Sequence, residues 1–524
     1  MTQDQATALN TAHLSVQEHC AIITLDNPPV NGLGMELRQA ISAHLSWAQN
    51  NAEIHSVMLI GQRGVFCAGA DIRQMNTPKY WTSPRTIELA AQIDTMTKPV
   101  VALLAGIAMG GGLELSLGCH YRLAMEDTKI AQPEIKLGLL PGGGGILRLP
   151  RLLGLEHAIE MLLNGETLNG HQALAIGLID QVVPKTQGAE LLSLGLAFVQ
   201  QVLKRGEPLR RTRDLPLNLQ QAPRILEQFR RQLRPSAGMA PQVILDCIQA
   251  CLHTTFEEGV RLSNEATQKL MQSEESAALR HLFFIQRQAS KLPSNTAITP
   301  RRSDSSIELH VLGDIEATPL QHDRVEGWSV QVLSRDFNAP IQEDHGALAM
   351  RLYPGSELVE VLCPKALITS DALTRVLEWL KKNQKIAILS QSWNQALVAP
   401  LVQAMREPMQ RLDQNAAHPN GHELTQELHR WGLQELLAYV DASPLLSKDP
   451  GPWSTGTVHN AGESHNIVQH VLASLAAASD ALIAQHRIGD VAGLDLIAVL
   501  EMGFPKVKGG PNYCLAKHQS NPER

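Results

Sequence analysis

The sequence predicts an α/β unit at its N-terminal end, then a helical connector, then a second and mostly helical region. Three observations carry this expectation. From Ala21 to Pro184, short β-branched runs (AIITL, SVMLI, PVVALL) alternate with Gly-rich turns and Ala/Leu-rich stretches, the texture of strands joined by crossover helices. From about residue 190 to 292, helical periodicity replaces that alternation. The segment SNTAITPRRSDSS that follows has no apolar period and reads as an exposed linker, which sets a boundary near residue 300.

Taken in order, the connector ends in SEESAALRHLFFIQRQASKLP, which opens on an acidic turn and stops at Lys291, Leu292 and Pro293, ordinary helix punctuation. Beyond the linker, IELHVLGD and WSVQVLSRD read as two strands separated by the length of one short helix, the start of a βαβ unit. After Pro354, helical patterns return (SDALTRVLEWLKKN, HELTQELHRWGLQELLAYV, IVQHVLASLAAASDALIAQH), so the C-terminal third is expected to be helical. The expected divisions are 1–190, 191–300, 301–353 and 354–524.

Composition narrows the classes of function. Of 524 residues, 44% are hydrophobic and 19% charged, enough for real cores and too apolar for a disordered chain. The net charge of -7 and the lack of basic and aromatic interleaving argue against a nucleic-acid partner. The opening residues lack the pattern of a secretory or organellar leader, and no apolar run approaches the ~18 residues of a membrane span. A cytoplasmic protein with no membrane partner is expected. Seven scattered cysteines form no C-x-x-C pair, which predicts neither a disulfide framework nor a metal site and fits a reducing compartment. Cys247 and Cys251, one helical turn apart, read as small buried hydrophobes.

Chemistry concentrates in AGIAMGGGLELSLGCHYRLA. Gly110, Gly111 and Gly112 open an expected helix, so their amide N–H groups would face a site with favourable dipole sign. Glu114 lies one turn inside, and Glu134 arrives with QPEIKLGLLPGGGG, before a second glycine run at 142–145. Two carboxyls beside exposed backbone donors suit acid/base chemistry next to a carbonyl, with the donors holding an enolate oxygen. A further donor can come from VFCAGADI, residues 65–72, a small-residue turn after the SVMLI strand. By themselves these features leave the function open, since glutamates in first turns and glycine-rich loops are common.

Three ordered motifs, FCAGADI, KPVVALLAGIAMGGGLELSLGCHYRLA and IAQPEIKLGLLPGGGGILRLPRLLG, resemble the crotonase (enoyl-CoA hydratase/isomerase) superfamily from about Ala21 to Pro184. The resemblance implies a ClpP-like ββα spiral fold and a CoA thioester substrate. It implies Ala70 and Gly111 as the oxyanion-hole donors and Glu114 and Glu134 as the catalytic pair. Glu134 would act at the alpha carbon and Glu114 on the water. It also implies that the backbone of Cys67, Ala68, Gly69, Ala70, Asp71 and Ile72 holds the adenine end and pantetheine of CoA, with the Asp71 side chain stabilising the turn. Arg38, Arg63, Arg73 and Lys79 are candidates for the CoA phosphates. Retention of both glutamates favours reversible hydration of a trans-2-enoyl-CoA. A Δ3,Δ2-enoyl-CoA isomerase and a noncatalytic CoA-ester-binding scaffold are the alternatives.

The rest of the chain resembles multifunctional β-oxidation enzymes, in which a hydratase domain is followed by a linker helix and a 3-hydroxyacyl-CoA dehydrogenase. FEEGVRLSNEATQKLMQSEESAALRHLFFIQRQASKLP is similar to that linker, and RIGDVAGLDLIAVLEMGFPKVKGGP to a later dehydrogenase segment. The dinucleotide fingerprint departs from the family pattern. Gly313 is followed by Ile315 and Thr318 where glycines let a pyrophosphate approach, and Pro319 disturbs the helix start. MRLYPG, where a catalytic histidine is expected, has none, and His345 reads as a surface residue. A vestigial Rossmann segment at 301–353 and a degenerate all-α domain at 354–524 follow, with NAD binding lost and no cofactor. The C-terminal part would scaffold the hydratase domain or dock another β-oxidation subunit or a second copy of the chain.

Overall fold

The computed structural model describes residues 11–75, 77–233 and 238–289, and separate stretches between 306 and 520. Two compact units divide at Ser276 and Ala277. The division falls inside the helical connector, not near residue 300, because the helices up to residue 271 pack on the first unit's core.

In the first unit, strands β1 (Ala12–Gln17), β2 (Cys20–Leu25), β3 (Ser56–Gly61) and β4 (Val100–Leu104) are followed by the short β5 (Ile107–Met109). Then come β6 (Tyr121–Met125), β7 (Lys129–Ala131) and β8 (Gln181–Val183). One sheet has the order β1-β2-β3-β4-β6-β8, antiparallel at its first pair and parallel elsewhere; β5 and β7 pair in parallel as a second sheet. Alternation assigns the larger sheet's two faces. Ile23, Leu59, Ala102 and Leu104 enter one core, while Ile22, Met58, Val101 and Leu103 enter the other. A strand such as VVALL is therefore apolar throughout because both of its faces are covered.

The helices of this unit are α1 (Met35–Asn50), α2 (Pro78–Trp81), α3 (Thr86–Asp94), α4 (Gly111–Gly118), α5 (Gly145–Leu153) and α6 (Leu155–Asn164). The chain continues through α7 (Gly170–Ala175), α8 (Gly188–Arg205), α9 (Ala222–Gln232), α10 (Ala240–Cys251) and α11 (Phe256–Met271), and α12 (Glu274–Ala289) crosses into the second unit. All eight residues of α4 are buried. Its small residues allow that depth: a Cβ on Gly118 would stand 2.8 Å from the Ala90 Cα, and one on Gly112 only 2.4 Å from the Cys67 oxygen.

The second unit corrects the expected architecture. β9 (Ser306–Leu312), β10 (Val325–Glu326), β11 (Ser329–Leu333), β12 (Leu348–Leu352), β13 (Leu358–Leu362) and β14 (Ile386–Ser390) form one sheet, in the order β10-β9-β11-β12-β13-β14. β9, β11 and β12 run parallel, as the βαβ reading anticipated. The sheet does not end at residue 353, however, and the stretch after 354 is not all helical. β13 pairs antiparallel with β12 and parallel with β14, and both lie in the region expected to be α. Helices α13 (Asp371–Lys382), α14 (Val398–Ala404), α15 (Ile467–Ala484), α16 (Val491–Leu500) and α17 (Pro511–Ser520) complete the described part. Gly313, Ile315, Thr318, Pro319 and His345 lie outside the described residues.

Candidate active site

Four segments converge at the N-terminal end of α4: the turn after β3, the glycine run before α4, the turn after β7, and the second glycine run before α5. Side-chain amides fix the first. Asn31 Nδ2 donates to the oxygens of Val65 (2.6 Å) and Phe66 (3.2 Å), and the Leu33 N–H donates to the Gly69 oxygen at 2.8 Å. Leu33 and Ala70 then form an isolated parallel bridge. A Cβ on Gly111 would lie 3.2 Å from the Ala70 nitrogen, so the two expected oxyanion donors are neighbours. Among the described residues, no hydrogen-bond acceptor occupies either the Ala70 or the Gly111 N–H.

Gly110 makes the crossing possible. Its backbone (φ 52°, ψ -128°) is open to glycine, and a Cβ there would stand 3.0 Å from Glu134 Oε1. Glu134 opens a 3-10 turn, Glu134–Leu137, directly after β7 and Pro133. The Gln132 side-chain amide stands 3.1 and 2.9 Å from the two Glu134 carboxyl oxygens. Gln132 is itself buried.

Glu114 is 2% exposed, and its Oε1 accepts from the N–H groups of Gly143 (2.7 Å) and Gly145 (2.8 Å). The second glycine run is therefore a grip on the first carboxyl. Arg148, one turn into α5, is buried with its guanidinium on both oxygens of Asp94 and on Thr212 Oγ1.

These surroundings separate the two acids. Burial pushes Glu114 up to about 7, while the two glycine amides and the Arg148 charge pull the other way and favour its ionised form. Burial raises Glu134 well above the usual carboxylate range, and the negative charge of Glu114 raises it further. Glu134 therefore keeps its proton to higher pH than Glu114, and above about pH 7 the pair holds one proton, on Glu134, beside a carboxylate at Glu114.

Several expected ligand contacts need correction. Cys67 is fully buried, and its N–H and C=O are both taken up by pairing with Ile107 and Met109; Gly69 is also buried. These two shape the turn, whereas Ala68, Ala70, Asp71 and Ile72 keep exposed surface. The Asp71 carboxylate bonds to Arg73, through both the backbone N–H and the guanidinium. Arg38 is 3% exposed and turned inward onto backbone carbonyls, so it is not a phosphate contact. Arg63 and Lys79 pair with Asp26 and Glu36 on the surface. Gln132, Arg148 and the grip of Gly143 and Gly145 were not anticipated. All seven cysteines are free and buried, and among the described residues no group of three acidic, His or Cys side chains could hold a metal.

Residues 15–221 match the enoyl-CoA hydratase/isomerase family. The chain is 37% identical to a peroxisomal bifunctional enzyme of Danio rerio, over 53% of this chain and 39% of that protein. It is 35% identical to the human peroxisomal bifunctional enzyme, over 52% of this chain and 37% of that one. It is 34% identical to the fatty acid oxidation complex subunit alpha of Shewanella frigidimarina, over 54% and 42%. The matches thus span about two fifths of the length of these curated relatives. A carnitinyl-CoA hydratase from Mycobacterium avium aligns with TM-score 0.40 at 24% identity, covering 53% of this chain and 97% of that one. The N-terminal part of the chain is an enoyl-CoA hydratase/isomerase domain, in a chain homologous to the multifunctional β-oxidation enzymes.

Proposed function

We propose that the chain catalyses the reversible hydration of a trans-2-enoyl-CoA to a 3-hydroxyacyl-CoA in a β-oxidation sequence. The observation that carries this reading is the placement of Glu114 and Glu134 beside two neighbouring backbone donors that, among the described residues, have no acceptor of their own. In the forward direction, the Ala70 and Gly111 N–H groups hold the thioester oxygen as it gains charge. Glu114, kept ionised by Gly143 and Gly145, takes a proton from water while the oxygen of that water bonds to C3. Glu134, oriented by Gln132, gives its proton to C2. The C2–C3 double bond is consumed, and the proton gained by Glu114 balances the one lost by Glu134.

A single acid suffices for isomerisation, so the separate grip on each glutamate favours hydration. Hydration is followed by loss of the ultraviolet absorbance of the conjugated thioester, over enoyl-CoA substrates of increasing length and bulk. Glu114→Gln and Glu134→Gln are each expected to lower kcat by about 10²-fold to 10⁴-fold. A wild-type hydration rate in Glu114→Gln overturns the assignment.

We also infer that the second unit binds no dinucleotide, a reading supported by Ile315 and Thr318 in the fingerprint positions. The seven free thiols support a reducing compartment for the chain.

A further inference from the structure

A cation buried under α1 carries an inference that rests on the hydratase reading above. Arg38 makes five hydrogen bonds, all to backbone carbonyls: Leu33 (3.0 Å), Lys79 (2.9 Å), Tyr80 (3.3 Å), Thr82 (3.0 Å) and Pro84 (2.7 Å). Among the described residues, no carboxylate lies within hydrogen-bonding distance of it. A buried charge is costly, and an apolar side chain would fill the same volume. What an apolar residue or a lysine would not supply is a rigid planar fork reaching carbonyls on two separate segments at once.

Those two segments end at opposite sides of the reacting centre. One is Leu33, whose N–H bonds to Gly69 and whose backbone bridges Ala70. Its Cδ1 would lie 3.5 Å from a Cβ on Gly111, so Leu33 frames both oxyanion donors. The other is the strap 79–84, comprising the end of α2 and the approach to α3. Two residues past Pro84, the Thr86 methyl would lie 2.8 Å from a Cβ on Gly143, a point 2.6 Å from Glu114 Oε2. Thr86, in the first turn of α3 into which the strap leads, therefore borders the base. Arg38 also donates to the Lys79 and Tyr80 carbonyls in the last turn of α2.

We propose that Arg38 is a positioning residue of the thioester site, setting the register between the Ala70/Gly111 donors and the strap that leads into α3 beside Glu114. Its loss would misplace the oxyanion donors relative to the acid/base pair, an error that reads out in turnover more than in binding.

The test uses the full chain and the variants Arg38→Lys and Arg38→Gln, whose folding is checked by thermal melting. The expected result is a kcat lowered by about tenfold to about a hundredfold, with KM changed by less than about threefold. Lys is expected to retain more activity than Gln. A 2,4-dienoyl-CoA bound to the wild type should show a red-shifted absorbance, because donors that polarise its carbonyl draw charge along the conjugated chain. In the variants that shift should shrink, a change that a loss of stability alone would not produce. Folded variants with unchanged kcat and an unchanged red shift overturn the proposal.

Should neither variant fold, the guanidinium N–H protons of Arg38 in the wild type decide: slow exchange supports the clamp, and exchange at the rate of a solvated arginine overturns it. A wild type that hydrates no enoyl-CoA sinks the hydratase reading instead. An active wild type with indifferent Arg38 variants sinks only the clamp.

Discussion

The Glu134 carboxyl is where catalysis and stability pull apart. In the unfolded chain it titrates near the ordinary glutamate value, whereas in the folded chain burial and the Glu114 charge hold it protonated to much higher pH. Below about pH 4.5 both states carry the proton and the group has no effect on folding. As pH rises above that, the unfolded state releases its proton first, so folding loses stability progressively until the folded group also ionises. Glu134→Gln is therefore expected to melt higher than the wild type at pH 8, to lose that advantage near pH 4, and to hydrate far more slowly than the wild type at either pH. Melting curves across that pH range check this, and a Glu134→Gln protein no more stable than wild type at pH 8 contradicts the buried acid. In the wild type, kcat/KM for hydration should rise with pH through about 7 as Glu114 ionises, then fall as Glu134 deprotonates. Both glutamates were legible because they stand in motifs. Their partners were not, since Gln132 and Arg148 act through contacts that no local spacing encodes. Arg38 did leave a trace: it shares the stripe of Ile41, Leu45 and Ala48 at helical spacing, and a charge on an apolar stripe signals an inward partner.

Among elements, the loop before α5 does more than turn the chain. The run 142–145 was legible only as a turn, but its amides hold Glu114, and the absence of side chains lets the carboxyl approach. A Cβ on Gly143 would stand 2.6 Å from Glu114 Oε2 and 2.8 Å from the Thr86 methyl, neither of which can retreat far. Gly143→Ala is expected to cost about 1–3 kcal/mol of stability through overpacking and to lower kcat by at least about tenfold by displacing the base. A crystal structure and steady-state kinetics of the variant test both; wild-type turnover would show that the grip on Glu114 is dispensable. The elements that escaped the sequence are β13 and β14. LVEVL and IAILS are five-residue apolar runs beside long amphipathic helices, and a run that short fits a buried strand or a helix segment equally well. The first unit was easier to read because its strands repeat, β3, β4 and β5 each run into a turn that contains glycine, and both faces of β4 are apolar.

At the scale of the molecule, the division at Ser276 leaves each unit with cores of its own. The first encloses its sheet between the two clusters that share β2, β3 and β4, and the second builds separate clusters around β12 to β14 and the helices after residue 397. Units with separate cores are expected to unfold in separate cooperative steps, so calorimetry should resolve two transitions. A ligand that binds one unit then stabilises that transition alone. Under the proposed function a saturated acyl-CoA would meet the same donors but has no double bond to hydrate, so it can be present throughout the scan. At about 100 times its Kd it adds about 2.7 kcal/mol to the unit that binds it, which for a unit of this size moves the midpoint by roughly 5 to 10 °C. The prediction is that the acyl-CoA raises one midpoint by that amount and leaves the other in place, while NADH moves neither. Assignment follows from Glu134→Gln, which should shift the same transition as the acyl-CoA at pH 8. A second transition that climbs with NADH would restore a dinucleotide site to the C-terminal unit, and two midpoints rising together under the acyl-CoA would mean that the two units fold as one.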